Sequence, residues 1–182
     1  MAATHGGDTL AHMLIFMALL CMLLQSADSG AVVAATQIDS TMKHSVENNI
    51  LDTKVNETAV KGGIVRVGIV HRKNAEAAAL MHQELTEIYQ IIEGSGTMTI
   101  GGTMPSPRAV QDPPNLGPTP TFSGSQTGGV SRKVGPKDLV IVPAGLPHRW
   151  TQLDGPISYV IYRFAQAFLM GNQSHSETHL RL

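Results

Sequence analysis

The apolar residues of this chain fall in short runs separated by turn-forming residues. Runs rich in β-branched and aromatic residues are typical of β-strands. Five runs are predicted to be strands: 64–71, 87–92, 97–100, 139–142 and 157–164. Gly94 and Gly96 separate two of them, so residues 87–100 are predicted to form a hairpin. No helices of 10–15 residues alternate with these strands, which disfavours a Rossmann-type fold. The pattern therefore predicts an all-β fold, a single antiparallel β-barrel or jelly roll.

The stretches outside the strands divide the chain into four segments. Residues 1–35 contain the 12-residue apolar run Met13–Leu24, which is short for a membrane span and typical of a secretory signal peptide. An uncleaved N-terminal anchor is the alternative interpretation. Residues 36–60 are polar and are predicted to be a lead-in with one short strand, followed by the barrel in residues 61–165. Residues 166–182 are predicted to be a short C-terminal helix or tail.

Residues 101–136 stand apart within the barrel segment. They hold seven of the ten prolines and few large apolar side chains. A segment of this composition cannot build a core of its own, so it is predicted to be a long surface loop or lid.

Composition and charge exclude several classes of function. The net charge is −1 and no basic run is present, so no nucleic-acid partner is expected. The only cysteine, Cys21, lies in the predicted signal peptide, and the mature chain would have neither disulfides nor thiol chemistry. The signal segment predicts a secreted or extracytoplasmic protein, periplasmic in a bacterium, with no membrane contact beyond that segment.

Two stretches carry residues that are suited to a metal site. His82, Glu84 and Glu87 lie within six residues, and His148 follows the Pro143-Ala144-Gly145 turn. Residues two apart in a strand share a face, so His82 and Glu84 are able to point to the same side. Imidazole and carboxylate are common ligands of transition metals in enzymes. The spacing alone also fits a solvated loop, so both interpretations stay open at this point.

The two stretches resemble the two conserved motifs of the cupin superfamily. Glu87 and Gly94 match the end of the first motif, which has the form G-x5-H-x-H-x3–4-E-x6-G, and His82 lies in its histidine region. The second motif has the form G-x5-P-x-G-x2-H-x3-N. It is matched by Gly135, Pro143, Gly145 and His148, with seven residues instead of five before the proline and Gln152 in place of the final asparagine. The resemblance covers about residues 60–165.

One histidine of the first motif is missing, and two alignments account for it. In the first, Glu84 replaces the second histidine and the ligand set is His82, Glu84, Glu87 and His148. In the second, His82 is that histidine, Leu80 replaces the first, and the set is His82, Glu87 and His148. The resemblance implies one divalent transition metal, Mn, Fe, Zn or Ni, and a cupin that has lost its metal is the alternative.

The resemblance also implies a function. It predicts a metal-dependent enzyme of dioxygenase, isomerase or lyase type that acts on a small oxygenated molecule, with Glu84 as general base if it is not a ligand. The residues themselves make Tyr89, Trp150 and Arg163 candidates for the substrate pocket; core packing of the two aromatic residues and an exposed position of Arg163 are the alternatives. The alternatives are a non-catalytic module that binds a small molecule or a metal, and a structural homodimer paired through sheet edges.

Overall fold

Eleven strands and one helix make up the part of the chain that the structure describes, which is residues 30–60, 62–111, 116 and 119–166 of a computed structural model. All of these elements lie in one compact unit that begins at Val33. The predicted signal segment 13–24 and the predicted C-terminal tail beyond residue 166 fall outside the described residues. The elements are α1 (Ala35–Glu47), β1 (Asp52–Val60), β2 (Gly63–Arg72), β3 (Ala79–His82), β4 (Leu85–Glu93), β5 (Gly96–Ile100), β6 (Arg108–Val110), β7 (Thr121–Gly124), β8 (Val130–Val134), β9 (Leu139–Val142), β10 (His148–Leu153) and β11 (Ile157–Gln166).

The strands form two antiparallel sheets. The first has the order β1-β2-β11-β4-β9 and the second has the order β6-β7-β3-β10-β5-β8. Buried side chains from both sheets meet in one core, in which Tyr89, Ile91 and Ile161 of the first sheet pack with Met98 and Trp150 of the second. The prediction of an all-β antiparallel jelly roll is confirmed.

The pleat of each strand decides which side chains face this core. In β4, Leu85, Glu87, Tyr89 and Ile91 are all buried, whereas the residues between them are less so. Successive side chains of a strand point to opposite faces of its sheet, so these four share the inner face. A charged residue on an inner face must be paired there, because an isolated buried charge is costly. Glu87 is such a residue.

The predicted hairpin over residues 87–100 is wrong. β4 belongs to the first sheet and β5 to the second, so the chain crosses between sheets at this turn. Gly94 has a φ of +79°, and a Cβ atom there would clash with the carbonyl oxygen of Pro156. The glycine signal marked the turn correctly. It could not tell a turn within one sheet from a turn between two.

Two other stretches are more regular than their composition predicts. Residues 36–60 form most of α1 and the whole of β1, a nine-residue edge strand. Residues 101–136 contain β6, β7 and β8, of which β6 and β8 are the edges of the second sheet. The side chains of β1, β6 and β8 are exposed or half-buried, so these three edge strands lack the apolar pattern by which a strand is recognised.

Among the residues that the structure describes, no helix combines the length and the apolar character needed to cross a membrane.

Candidate metal site

His82, Glu87 and His148 form a buried cluster between the two sheets. The exposed fractions of the three residues are only 3%, 2% and 4%. The Oε2 atom of Glu87 lies 3.4 Å from Nε2 of His148 and 3.9 Å from Nε2 of His82. One potential ligand atom from each residue lies within 4.8 Å of the other two. Ligands bound to one ion at about 2.1 Å lie roughly 3–3.5 Å apart, so a small inward shift would let the three share an ion.

The second nitrogen of each imidazole is held by an oxygen atom. Nδ1 of His148 lies 3.1 Å from the carbonyl oxygen of Leu146, which can only accept a hydrogen bond. Nδ1 of His82 lies 3.0 Å from the hydroxyl of Thr121, and that hydroxyl donates its own hydrogen to the carbonyl oxygen of Thr119. Both Nδ1 atoms are therefore donors. In the neutral tautomer this leaves the lone pair on Nε2, which is how a metal-binding histidine is oriented.

Glu87 is also held by two residues besides the histidines, Tyr89 and Arg163. Its Oε1 accepts a hydrogen bond of 3.0 Å from Nε of Arg163, which lies directly across from it on β11. Its Oε2 accepts one of 2.7 Å from the hydroxyl of Tyr89. Arg163 continues to Asp52 of β1, with its NH2 atom 2.6 Å from Oδ2 of that carboxylate. Three strands of the first sheet thus fix the position of one carboxylate.

The electrostatics of the cluster favour an ionised carboxylate. Burial raises the pKa of Glu87, but the hydrogen bond and charge of His148, together with the charges of Arg163 and His82, outweigh it and hold the pKa well below its usual range. Burial lowers the pKa of His148, and Glu87 outweighs that effect to raise it. Burial and the charge of Glu87 raise the pKa of Tyr89 well above 10, so its phenol remains a hydrogen-bond donor.

The two motifs are joined at the turn that precedes β10. The backbone N–H of Gly145 donates a 2.8 Å hydrogen bond to the carbonyl oxygen of His82, and the N–H of Ala144 donates to the hydroxyl of Thr86. Gly145 has a φ of +78°, a backbone conformation that favours glycine. This turn therefore fixes the start of β10, where His148 lies, against the end of β3, where His82 lies.

The cluster opens into a cavity of about 120 Å³. Most of its wall is formed by pairs of residues, each pair on one strand. The two members of a pair are two positions apart, so both point to the inner face of the sheet. The pairs are Val70 and Arg72 of β2, Leu80 and His82 of β3, Glu87 and Tyr89 of β4, and His148 and Trp150 of β10, joined by Tyr159, Ile161 and Arg163 of β11. Part of the wall is aromatic, since Tyr159 packs against both Tyr89 and Trp150.

Six of the seven predicted site residues lie at this cavity. They are His82, Glu87, Tyr89, His148, Trp150 and Arg163. Arg163 reaches it as the partner of Glu87 and Asp52 and supports the cluster, whereas the sequence had suggested a substrate-binding role.

The exception is Glu84, which neither joins the cluster nor lines the cavity. It lies in the bend between β3 and β4, where the alternation of side chains is interrupted. Leu80, by contrast, lines the cavity beside His82. The geometry therefore agrees with the second alignment, in which Leu80 stands at the position of the missing histidine.

Tyr159 of the aromatic wall and four further polar residues of the site were not identified from the sequence. Asp52, Arg72 and Glu76 line the cavity, and Thr121 holds His82. Arg72 did carry a signal, because it is a charged residue that directly follows the β-branched run 64–71. The other three are ordinary polar residues in segments without a clear pattern, and their roles depend on strand pairing.

Comparisons with known proteins find similarity in structure only. The sequence matches no protein-family model, and no curated protein matches it closely enough to count as a relative. Similar solved structures include a protein from Bacillus halodurans, with 16% identity and a TM-score of 0.45 over 77% of this chain and 86% of the other. A cupin protein from Bacteroides fragilis has 16% identity and a TM-score of 0.37, over 66% and 80% of the two chains. The DMSP lyase DddQ from Ruegeria pomeroyi has 19% identity and a TM-score of 0.36, and the match covers 62% of this chain and 43% of that enzyme.

These identities and TM-scores do not indicate an activity for this chain. The architecture of this chain and the residues of its site are the stronger grounds for a resemblance. Two antiparallel sheets enclose a cavity, and the histidine and glutamate of the first motif meet the histidine of the second inside it. The chain therefore resembles the cupin superfamily both in its fold and in its His82–Glu87–His148 cluster.

Proposed function

We propose that this protein is a metal-dependent enzyme that acts on a small oxygenated organic molecule in the cavity between its sheets. The observation that carries the proposal is the convergence of two Nε2 atoms and one carboxylate oxygen in a buried site. Both imidazoles are held in the orientation that metal binding requires. Two histidines and one carboxylate leave coordination positions open, as in catalytic metal sites.

The donor set fits a divalent transition metal. Imidazole with carboxylate suits Mn, Fe, Zn or Ni, whereas Mg and Ca prefer sites made of oxygen atoms alone. When bound, such an ion polarises an oxygen atom of the substrate and stabilises the negative charge that develops on it. Dioxygenase, isomerase and lyase chemistry all begin from this kind of site.

The side chains around the ligands have supporting tasks. Arg163 and Tyr89 fix the two oxygen atoms of Glu87, so that the carboxylate keeps its direction through a reaction cycle. Trp150 and Tyr159 contribute aromatic surface to the cavity wall. Apolar surface beside the ligands lowers the local dielectric and so strengthens the electrostatic interactions of the site.

The first test is the metal content of protein purified without added metal and without a histidine tag. We expect close to one transition-metal ion per chain, and loss of most of it in His148→Ala because one of the three ligands is removed. Glu84→Gln is the matched control. It removes the carboxylate that lies near the cluster in sequence but outside it in space, so its metal content should equal that of the unmodified protein.

Two results would contradict the proposal. If the unmodified protein binds no transition metal even after incubation with Mn²⁺, Fe²⁺, Zn²⁺ and Ni²⁺, the metal-dependent function is wrong. If the metal is present but a panel of small hydroxy, oxo and dicarboxylic acids shows no turnover, the non-catalytic binding module becomes the better account.

A further inference from the structure

Asp52 reaches the candidate metal site from the edge of the first sheet. Its Oδ2 lies 2.6 Å from NH2 of Arg163, and its Oδ1 lies 3.4 Å from NH1. The Nε atom of the same guanidinium donates to Oε1 of Glu87. Asp52, Arg163 and Glu87 therefore form a chain of carboxylate, guanidinium and carboxylate. The strand order places β2 between β1 and β11, so this chain crosses the inner face of β2.

Gly68 provides the space on β2 for that crossing. It pairs with residues of both β1 and β11, the strands that carry Asp52 and Arg163. Its φ is not positive, so the backbone conformation does not require a glycine. A Cβ atom there would lie only 3.3 Å from Oδ1 of Asp52. The missing side chain at residue 68 thus leaves room for the carboxylate of Asp52.

The backbone on both sides of Asp52 is anchored. The carbonyl oxygen of Leu51 accepts a 2.9 Å hydrogen bond from the N–H of His71 on β2. The hydroxyl of Thr53 lies 2.8 Å from the hydroxyl of Ser45, a fully buried residue of α1. The helix and β2 together therefore fix the point from which the Asp52 side chain extends.

The charges explain why Arg163 needs a carboxylate other than Glu87. Arg163 and Arg66 lie directly opposite each other on β11 and β2, and both are buried. Like charges in this arrangement are destabilising, and a buried charge requires a partner. Arg66 has Glu57, whose Oε2 lies 2.6 Å from its Nε. With Asp52 present, two carboxylates face the one guanidinium of Arg163, and their sum of −1 leaves negative charge for a cation.

We propose that Asp52 is a positioning residue for the metal that the His82–Glu87–His148 cluster would bind. By neutralising and anchoring Arg163, it keeps Oε1 of Glu87 on the guanidinium and leaves Oε2, the oxygen that faces both imidazoles, for the metal. Outer partners of this kind fix the direction of a ligand. The inference rests on the proposed function, because it requires a metal at the cluster. It goes further by making β1, which lies outside the barrel segment predicted from the sequence, part of the site.

The first measurement is the affinity of the full chain for Zn²⁺, obtained by competition with a chromophoric chelator. Asp52→Asn keeps the size of the side chain and one acceptor oxygen but removes the charge. It should weaken Zn²⁺ binding about 10–100-fold, because the unneutralised Arg163 then repels the cation and draws more strongly on Glu87.

Glu57→Gln is the matched control. It removes the carboxylate partner of Arg66 from the same strand, and neither residue lines the cavity. The side chain of Glu57 is 41% exposed, so water screens its charge. This variant should bind Zn²⁺ as the unmodified protein does.

The visible spectrum of the Co²⁺-loaded protein separates positioning from a purely structural role. The d–d bands of Co²⁺ respond to the number and the kind of its ligand atoms. Asp52→Asn should shift these bands, because a less firmly held Arg163 lets the carboxylate of Glu87 turn. A residue that only stabilises the fold would lower the Tm of the metal-free protein and leave the bands unchanged.

Gly68→Ala is a second variant that tests the same contact without changing any charge. The added methyl group presses on the carboxylate of Asp52, so Zn²⁺ binding should weaken by up to about tenfold. Gly135→Ala is its control, because a Cβ at residue 135 makes only an ordinary contact of 3.8 Å with Ser95. That control should bind Zn²⁺ normally.

The inference is overturned if folded Asp52→Asn binds Zn²⁺ as tightly as the unmodified protein or keeps its Co²⁺ spectrum. If Asp52→Asn does not fold, it is overturned when Gly68→Ala binds Zn²⁺ as tightly as Gly135→Ala. Absent Zn²⁺ binding by the unmodified protein contradicts the proposed function itself. Normal Zn²⁺ binding that these variants leave unchanged contradicts only the role of Asp52.

Discussion

The hydroxyl of Thr121 has two hydrogen bonds in opposite directions, and the orientation of His82 depends on both. It accepts from Nδ1 of His82 and donates to the carbonyl oxygen of Thr119. Outer partners of this kind fix the tautomer and the ring direction of a metal-binding histidine. Thr121 is therefore as much a part of the candidate site as the histidine that it holds.

Thr121→Val should weaken metal binding about 10–100-fold, because it leaves the Nδ1–H of His82 buried without an acceptor. Thr121→Ser keeps the hydroxyl and should restore most of the affinity. Competition with a chromophoric chelator measures both values. Equal affinity in Thr121→Val and the unmodified protein would show that His82 is not a ligand in this orientation.

Some residues of the site could be predicted from the sequence and others could not. His82, Glu87 and His148 were identified because their types and spacing match a motif. Thr121 lies 39 residues from His82, the residue to which it is hydrogen-bonded. Arg72 belongs to the first sheet, and Glu76 connects it to Trp150 in the second. Such contacts exist only after the strands have paired. The spacing of residues along the chain therefore could not identify them.

At the scale of elements, two glycine turns position the strands that carry the site. Gly94 ends β4 and Gly145 precedes β10, and both have a positive φ. Their surroundings differ, because a Cβ at residue 94 would meet the backbone of Pro156, whereas no atom lies within 4 Å of a Cβ at residue 145. A comparison of substitutions at the two positions therefore separates the free-energy cost of the backbone conformation from that of a steric clash.

Gly145→Ala should lower the free energy of unfolding by about 1–2 kcal/mol, the cost of a left-handed conformation for an L-residue. Gly94→Ala should lower it by clearly more, since the chain at Pro156 must also move away from the added methyl group. Urea denaturation of the two variants checks the order. Equal destabilisation would contradict the close approach of Gly94 to Pro156.

The edge strands show why part of the fold escaped prediction. β8 carries exposed residues at Val130–Lys133 and pairs with β5 through its backbone. The apolar run that predicted β4 is missing there, because only one long side of an edge strand is paired and the side chains of β8 are mostly in water. The runs predicted to be strands correspond to β2, β4, β9 and β11 of the first sheet and to β5 of the second. β1 was predicted only as one short strand in the lead-in, and β3, β6, β7, β8 and β10 of the second sheet were not predicted.

At the scale of the whole molecule, metal binding should stabilise the fold, because the ligands come from both sheets. His82 and His148 lie on β3 and β10 of the second sheet, and Glu87 lies on β4 of the first. An ion bound only by the folded state adds about 2.7 kcal/mol when its concentration is 100 times Kd. A bound ion would thus connect the two sheets.

We expect Mn²⁺ at that concentration to raise Tm by about 5–10 °C at pH 8, given about 2–4 °C per kcal/mol for a protein of this size. The increase should be smaller at pH 6. Glu87 raises the pKa of His148, so in metal-free protein the protonated His148 stabilises the fold at low pH and that contribution is lost as the pH rises through the raised pKa. The metal must displace this proton, so the stabilisation that the metal gives to the fold increases with pH.

Differential scanning fluorimetry with and without Mn²⁺ at the two pH values provides the measurement. His148→Ala serves as the control and should show almost no increase in Tm at either pH. An increase that is larger at pH 6 than at pH 8 would contradict the proton displacement at His148.

The central claim is that one metal ion is bound by His82, Glu87 and His148, and X-ray absorption at the metal edge tests it most directly. The full chain, purified without a histidine tag and loaded with one equivalent of Zn²⁺, should show scattering from two imidazole rings at about 2.0–2.1 Å together with oxygen ligands. In His148→Ala the imidazole contribution should fall to one ring or the Zn²⁺ should be lost. A spectrum with three or more imidazoles, or one that His148→Ala leaves unchanged, would contradict the account.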